Sequence, residues 1–98
     1  MATEPTVLTG RRLRYAAAVL LHEAQRTMAL DELAAALARR GHSTSGDARK
    51  AISDALRWEL HRGRAVRVRR GSYRSRGLAR STLRWMRAQV AGDIAALR

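Results

Sequence analysis

The apolar positions of this chain fall into four stretches with helical spacing and one that alternates. From Arg11 onward, Leu13, Ala16, Ala17, Leu20, Leu21 and Ala24 recur three and four residues apart, predicting a first helix that ends near Gln25. The run LDELAAALARR predicts a second, with Leu30, Leu33, Ala34, Leu37 and Ala38 as its buried stripe. Asp31 and Glu32 suit the positive end of that helix, and Arg39 and Arg40 the negative end. Gly41 supplies a left-handed stop. Glu32 stands where a capping box wants it, although the cap position holds Ala29.

A third helix is predicted from about Asp47 to His61, capped by Ser45 or Asp47, after a polar loop HSTSGD. At 100° per residue, Ala48, Ile52, Ala55 and Leu56 gather on one side of it. Arg49, Lys50, Ser53, Arg57 and His61 gather on the other. Trp58 falls at the boundary and is expected to pack on a neighbouring helix. Next, Val66 and Val68 alternate with Arg67 and Arg69, the two-residue period of a strand with one apolar face. Arg70-Gly71 marks a turn and Ser72-Tyr73-Arg74 returns, making a β-hairpin whose Val66, Val68 and Tyr73 are expected in the core. A last helix, capped by Ser81 or Thr82, repeats Leu83, Met86, Val90, Ile94 and Leu97, with Gly92 in its interior. The first ten residues show no period and read as a flexible tail. The expected divisions are thus 1–10, 11–76 and 77–98.

Charge changes the picture most. Residues 1–48 carry six arginines against five acids, whereas residues 49–98 carry fourteen basic residues against three acids. A one-sided net +11 points to a polyanionic partner, because ordinary soluble surfaces mix signs. Of the 20 basic residues only Lys50 is not arginine, and arginine forks match phosphates and guanine edges bidentately. With two Trp, two Tyr and no Phe, the stacking platforms of single-strand binders are scarce.

Other chemistries find little support. Without cysteine there is no disulfide or thiolate metal site. His22, His42 and His61 stand too far apart for a zinc pair. Gly41 to Gly46 imitates a phosphate-binding loop, but Asp47-Ala48 replaces the required Lys-Ser/Thr. Asp31, Glu32 and Glu59 read as helix-end and surface-pairing carboxylates. No catalytic group and no cofactor are expected. The apolar run Tyr15 to Leu21 is too short to span a membrane, and after Arg11-Arg12 it lacks the rest of an export signal. A cytoplasmic, nucleoid-associated location is therefore expected.

Helix, helix, turn, helix, hairpin over residues 11–76 resembles a winged helix-turn-helix. More narrowly, the apolar-MALDEL-AAL-RRG run, ISDAL and the closing RVRRGSYR resemble the HARE-type module of restriction endonucleases, chromatin proteins and the delta subunit of bacterial RNA polymerase. Gly46-Asp47 stands in place of that family's usual Thr-Pro, and Tyr73 in place of its commoner Phe. The resemblance implies a mainly α fold with a small β-hairpin wing, to which the periodicity adds an extra C-terminal helix. It makes the third helix a recognition helix, with Arg49, Lys50, Ser53 and Arg57 toward base edges in the major groove. Ser43, Thr44 and Ser45 would offer hydroxyls and amides to phosphate at the helix start. Arg67, Arg69, Arg70 and Arg74 would form the wing's grip on backbone or a narrow minor groove.

The expected function is binding of double-stranded DNA, as a transcriptional regulator or a nucleoid-associated factor. Two alternatives stay open: a module docking on RNA polymerase or another transcription protein, and an RNA binder. For the last helix, Leu83, Met86, Val90, Ile94 and Leu97 either pair two copies into a homodimer or fold back on the first helix. Pairing is preferred, since winged domains can close without this helix and small dimers are common.

Overall fold

A computed structural model describes residues 4–92. Its described part is mainly helical, with α1 (Gly10–Ala24), α2 (Leu30–Arg39), α3 (Ala48–His61) and α4 (Arg80–Ala91). Five short strands accompany them: β1 (Thr6–Leu8), β2 (Met28–Ala29), β3 (His42–Thr44), β4 (Ala65–Arg69) and β5 (Ser72–Ser75). They form two sheets, a parallel pair β1-β3 and an antiparallel three-stranded sheet in the order β2-β5-β4.

The unbroken apolar run of α1 explains its central place. Every residue from Ala16 to Leu21 is buried, so the helix has partners on both sides. One side joins Leu33, Leu37, Ile52 and Leu56 in the main core; the other, through Ala18 and Val19, receives Met86 of α4. The three successive alanines let both neighbours approach closely. Burying a Leu or Ile side chain completely contributes roughly 1.5–3 kcal/mol, so α1, α2 and α3 hold together mainly through these contacts.

Several expectations change at this level. The tail is not a tail beyond Thr6: β1 pairs in parallel with β3, and Leu8 is completely buried in the core. Both strands are three residues long and join across more than thirty residues, so no local periodicity announces them. In α2 the buried arc centres on Leu33 and Leu37, which brings in Ala36 and leaves Ala38, a further 100° round, exposed. Glu32 supplies its half of the cap, accepting from Ala29 N–H at 3.0 Å. Gly41 (φ 79°) ends that helix as expected. Neither Ser81 nor Thr82 caps α4, which starts at Arg80 after Ala79. Gly92 is its left-handed cap (φ 73°) rather than an interior residue.

The last helix folds back. Met86 is 1% exposed against α1, Leu83 is half-buried in the same packing, and Val90 is half-buried against the main core. Arg12 donates to the carbonyls of Gln89 and Val90, and Arg87 reaches Glu23 on α1 at 2.7 Å. These three members of the expected pairing seam therefore serve the chain's own core, because α1 needs cover on its second face. Ile94 and Leu97 lie outside the described residues.

Candidate nucleic-acid interface

The third helix keeps the division of faces that its period implies. Ile52, Ala55 and Leu56 are buried, Ala48 and Ser53 are half-buried, and Arg49, Lys50, Arg57 and His61 are exposed. Its start takes the second of the two expected caps. Asp47 caps it, its carboxylate accepting from the N–H groups of Arg49 (2.9 Å) and Lys50 (3.4 Å). That carboxylate occupies the place where a phosphate was expected to sit. Ser43 and Thr44 are likewise taken out of the loop, since both belong to β3 and pair with Val7 and Leu8. Ser45 alone stays in the turn. The expected phosphate cradle of Ser43, Thr44 and Ser45 is thus not formed as a free loop.

The basic face of α3 is partly neutralised by its own neighbours. Arg49 makes two 3.2 Å bonds to Asp31 on α2, Lys50 reaches Asp54 at 3.3 Å, and Arg57 reaches the same Asp54 at 3.6 Å. The three basic side chains are 60–80% exposed, and ion pairs in such settings are worth only about 0–1 kcal/mol. They orient the side chains and release them at small cost.

The hairpin carries its charge unopposed. Among the described residues, Arg67, Arg69, Arg70 and Arg74 make no ion pair with a carboxylate, and all are exposed. From Leu60 to Gly92 the sequence holds ten arginines and no acid. Two of them find partners elsewhere, Arg64 at Glu59 and Arg87 at Glu23. Arg62, Arg76, Arg80 and Arg84 extend the unopposed set beyond the residues singled out from the sequence; the acid-free run itself was the available signal.

Strand parity in β4 is the reverse of that expected, whereas Tyr73 of β5 lies in the core as expected. Ala65 pairs across from Ser75, Val66 from Arg74 and Arg67 from Tyr73, and directly opposed residues share a face. Ala65 and Tyr73 are the hairpin's core residues, so Val66 stands on the other face and is only half-buried, while Val68 is 42% exposed. The sheet ladder then shifts by one between Arg67 and Arg69, which puts Arg69 opposite Ser72. This bulge moves Arg69 away from the face of Arg67 and onto that of Arg74. Arg69 and Arg74 therefore share a face with Ser72, which is itself buried.

Two adjacent residues tie the hairpin turn to the start of α3. Leu30 N–H donates to Gly71 O at 3.0 Å, and Asp31 holds Arg49. The turn and the first basic residue of α3 thus meet at the N-terminus of α2. The other end of α3 is fixed to the hairpin by Glu59, which is not a surface carboxylate but completely buried. It accepts from Arg64 Nε (2.9 Å) and Nη2 (2.7 Å), and Arg14 of α1 lies 3.9 Å away. These bonds hold the Arg64 guanidinium above its ordinary pKa. Trp58, 55% exposed, does not pack between helices; the Arg14 guanidinium covers its ring at 5.3 Å from the centroid.

Among the described residues, no group of three or more His, Asp or Glu is placed to hold a metal ion, and no helix is long and apolar enough to cross a membrane. No protein-family model matches the chain, and comparison with curated proteins and with solved structures likewise finds no match.

Proposed function

We propose that this chain binds double-stranded DNA through a winged helix-turn-helix, with α3 in the major groove and the β4-β5 hairpin on the flanking backbone or minor groove. The observation that carries it is the acid-free, arginine-loaded hairpin whose turn meets the basic start of α3. A helix with side chains is about 10–12 Å across and the major groove about 12 Å wide, so an exposed basic face on a helix is shaped for it. Arg49 and Arg57 are the residues suited to guanine O6 and N7, and Ser53 to a base edge or phosphate. Arg67, Arg69, Arg70 and Arg74 supply the sequence-independent part of the affinity. The order β2-β5-β4, with a short strand before α2 joining the hairpin, supports the winged arrangement. No cofactor enters this scheme. Regulation of transcription and packaging of the nucleoid both fit it.

Fluorescence anisotropy on a labelled random-sequence duplex at 50 mM salt tests it. The full chain should bind with a dissociation constant at or below the micromolar range, and Arg69→Ala/Arg70→Ala should weaken every duplex similarly. Absence of duplex binding at that salt would abandon it in favour of docking on the transcription machinery, for which the exposed Trp58 and Trp85 offer apolar contact.

A further inference from the structure

A cavity of about 310 Å³ opens away from α3, between the C-terminal end of α1 and the exit of β5, and shares Arg74 with the hairpin. Arg26, Arg74, Arg76, His22 and Gln25 line it, and no carboxylate does. Arg74 and Arg76 make no ion pair among the described residues, and Arg26 shares its charge with Glu32 at 2.8 Å. His22 accepts from Leu78 N–H through Nδ1 at 3.3 Å, so a proton on its ring sits at Nε2 and makes His22 a donor. A helix C-terminus would ordinarily repel an anion through its free carbonyls. Here Leu21 O accepts from Gln25 N–H at 3.3 Å and His22 O from Gln25 Nε2 at 2.9 Å, which quiets that end. The cavity's volume lies at the small end of ligand sites. It has room for a phosphate and the first atoms of the group that carries it.

We propose that this cavity is a phosphate-binding site, separate from the α3 face, in which Arg74, Arg76 and Arg26 clamp the oxygens and His22 donates to them. Its occupant is a phosphoester oxygen cluster, either a backbone phosphate of a bound duplex or the phosphate of a free nucleotide. The site stands whether or not α3 reads DNA.

The test is a titration of the full chain with inorganic phosphate at constant ionic strength, with chloride as the control, followed by amide resonances. Saturable shifts confined to residues 21–26 and to Arg74 through Leu78 are expected. Arg76→Ala should weaken them at least tenfold, yet it keeps the main-chain bond from Arg76 N–H to Arg64 O (3.0 Å) and so the fold. Arg84→Ala removes the same charge away from the cavity and should change nothing. Shifts that do not saturate, that spread over the hairpin tip, or that weaken equally in Arg84→Ala would overturn the site. The source follows from repeating the Arg76→Ala comparison with a short duplex and with a nucleoside monophosphate. Parallel loss of duplex affinity, with phosphate competing, identifies a backbone phosphate. Unchanged duplex affinity with lost monophosphate binding identifies a free nucleotide. A chain that binds no duplex leaves the phosphate titration as informative as before.

Discussion

Glu59→Gln is the substitution with the largest worked consequence outside the apolar core. The carboxylate is completely buried and receives two hydrogen bonds from Arg64, with Arg14 3.9 Å away. Removing one partner of a buried ion pair costs about 3–5 kcal/mol, because the remaining charge is left without compensation. Gln keeps one acceptor oxygen for one of the two Arg64 bonds, and the Arg64 side chain is 23% exposed, so water relieves part of the penalty. The expected loss is therefore near the low end, about 3 kcal/mol. For a domain of this size about 4–8 °C of melting temperature goes with each kcal/mol, which predicts a fall of about 12–24 °C. Urea unfolding should show the midpoint shifted with the slope unchanged. Arg14→Met/Glu59→Leu/Arg64→Met, which removes all three charges of the cluster and fills their volume, should regain at least half of the loss. A loss below about 0.5 kcal/mol in Glu59→Gln, the range of ordinary surface changes, would refute the buried clamp between α3 and β4.

Other outcomes follow from the same structure. Met86→Ala should cost about 2–5 kcal/mol by opening a cavity beside Ala18 and Val19, and its melting temperature should not depend on protein concentration; a concentration-dependent value would move the seam to an interface between copies. Burial raises the Glu23 carboxyl, but hydrogen bonds from Arg87 and Arg40 outweigh it and leave the pKa below its ordinary 4.5. The stability these bonds confer should be complete above pH 4.5 and drain as pH falls through the folded value. Glu23→Gln should remove that segment of an acid-unfolding curve, and an unaltered curve would count against it. Asp54→Asn frees Lys50 and Arg57 and deletes a charge that repels phosphate, so random duplex should bind several-fold tighter; equal or weaker binding would remove Asp54 from the interface. Arg57→Ala should cost about 1–3 kcal/mol on a preferred site chosen from a random duplex pool and relax choice at one position, and equal loss on every duplex would mean that it reads no base.

The helices were legible because their cores are written in consecutive three- and four-residue steps: Leu13 to Leu21, Leu30 to Leu37 and Ile52 to Leu56 each place their own buried face. The faces of α3 were legible for the same reason, and with them the exposed Arg49, Lys50 and Arg57. Four features were not. The pair β1-β3 depends on a long-range parallel contact that three residues on each side cannot signal. The parity of β4 depends on which face meets α1 and α3, and the chain offered Val66 and Val68 when the core took Ala65. The bulge that moves Arg69 onto the face of Arg74 is a property of two strands together. Glu59 looks like any surface acid until the turn at Gly63 brings Arg64 back onto it. At the candidate interface, composition located the charge, but only the folded chain reveals that Asp31 and Asp54 hold the α3 residues while the hairpin arginines stand unopposed among the described residues.

The most direct measurement is the affinity of the full chain for a short duplex between 50 and 200 mM salt. If α3 and the hairpin together neutralise six to ten phosphates, affinity should fall ~10³ to 10⁵-fold over that range, linearly in the logarithm of salt. Affinity that is absent at 50 mM, or unchanged by 200 mM, would contradict double-stranded DNA as the partner of this surface.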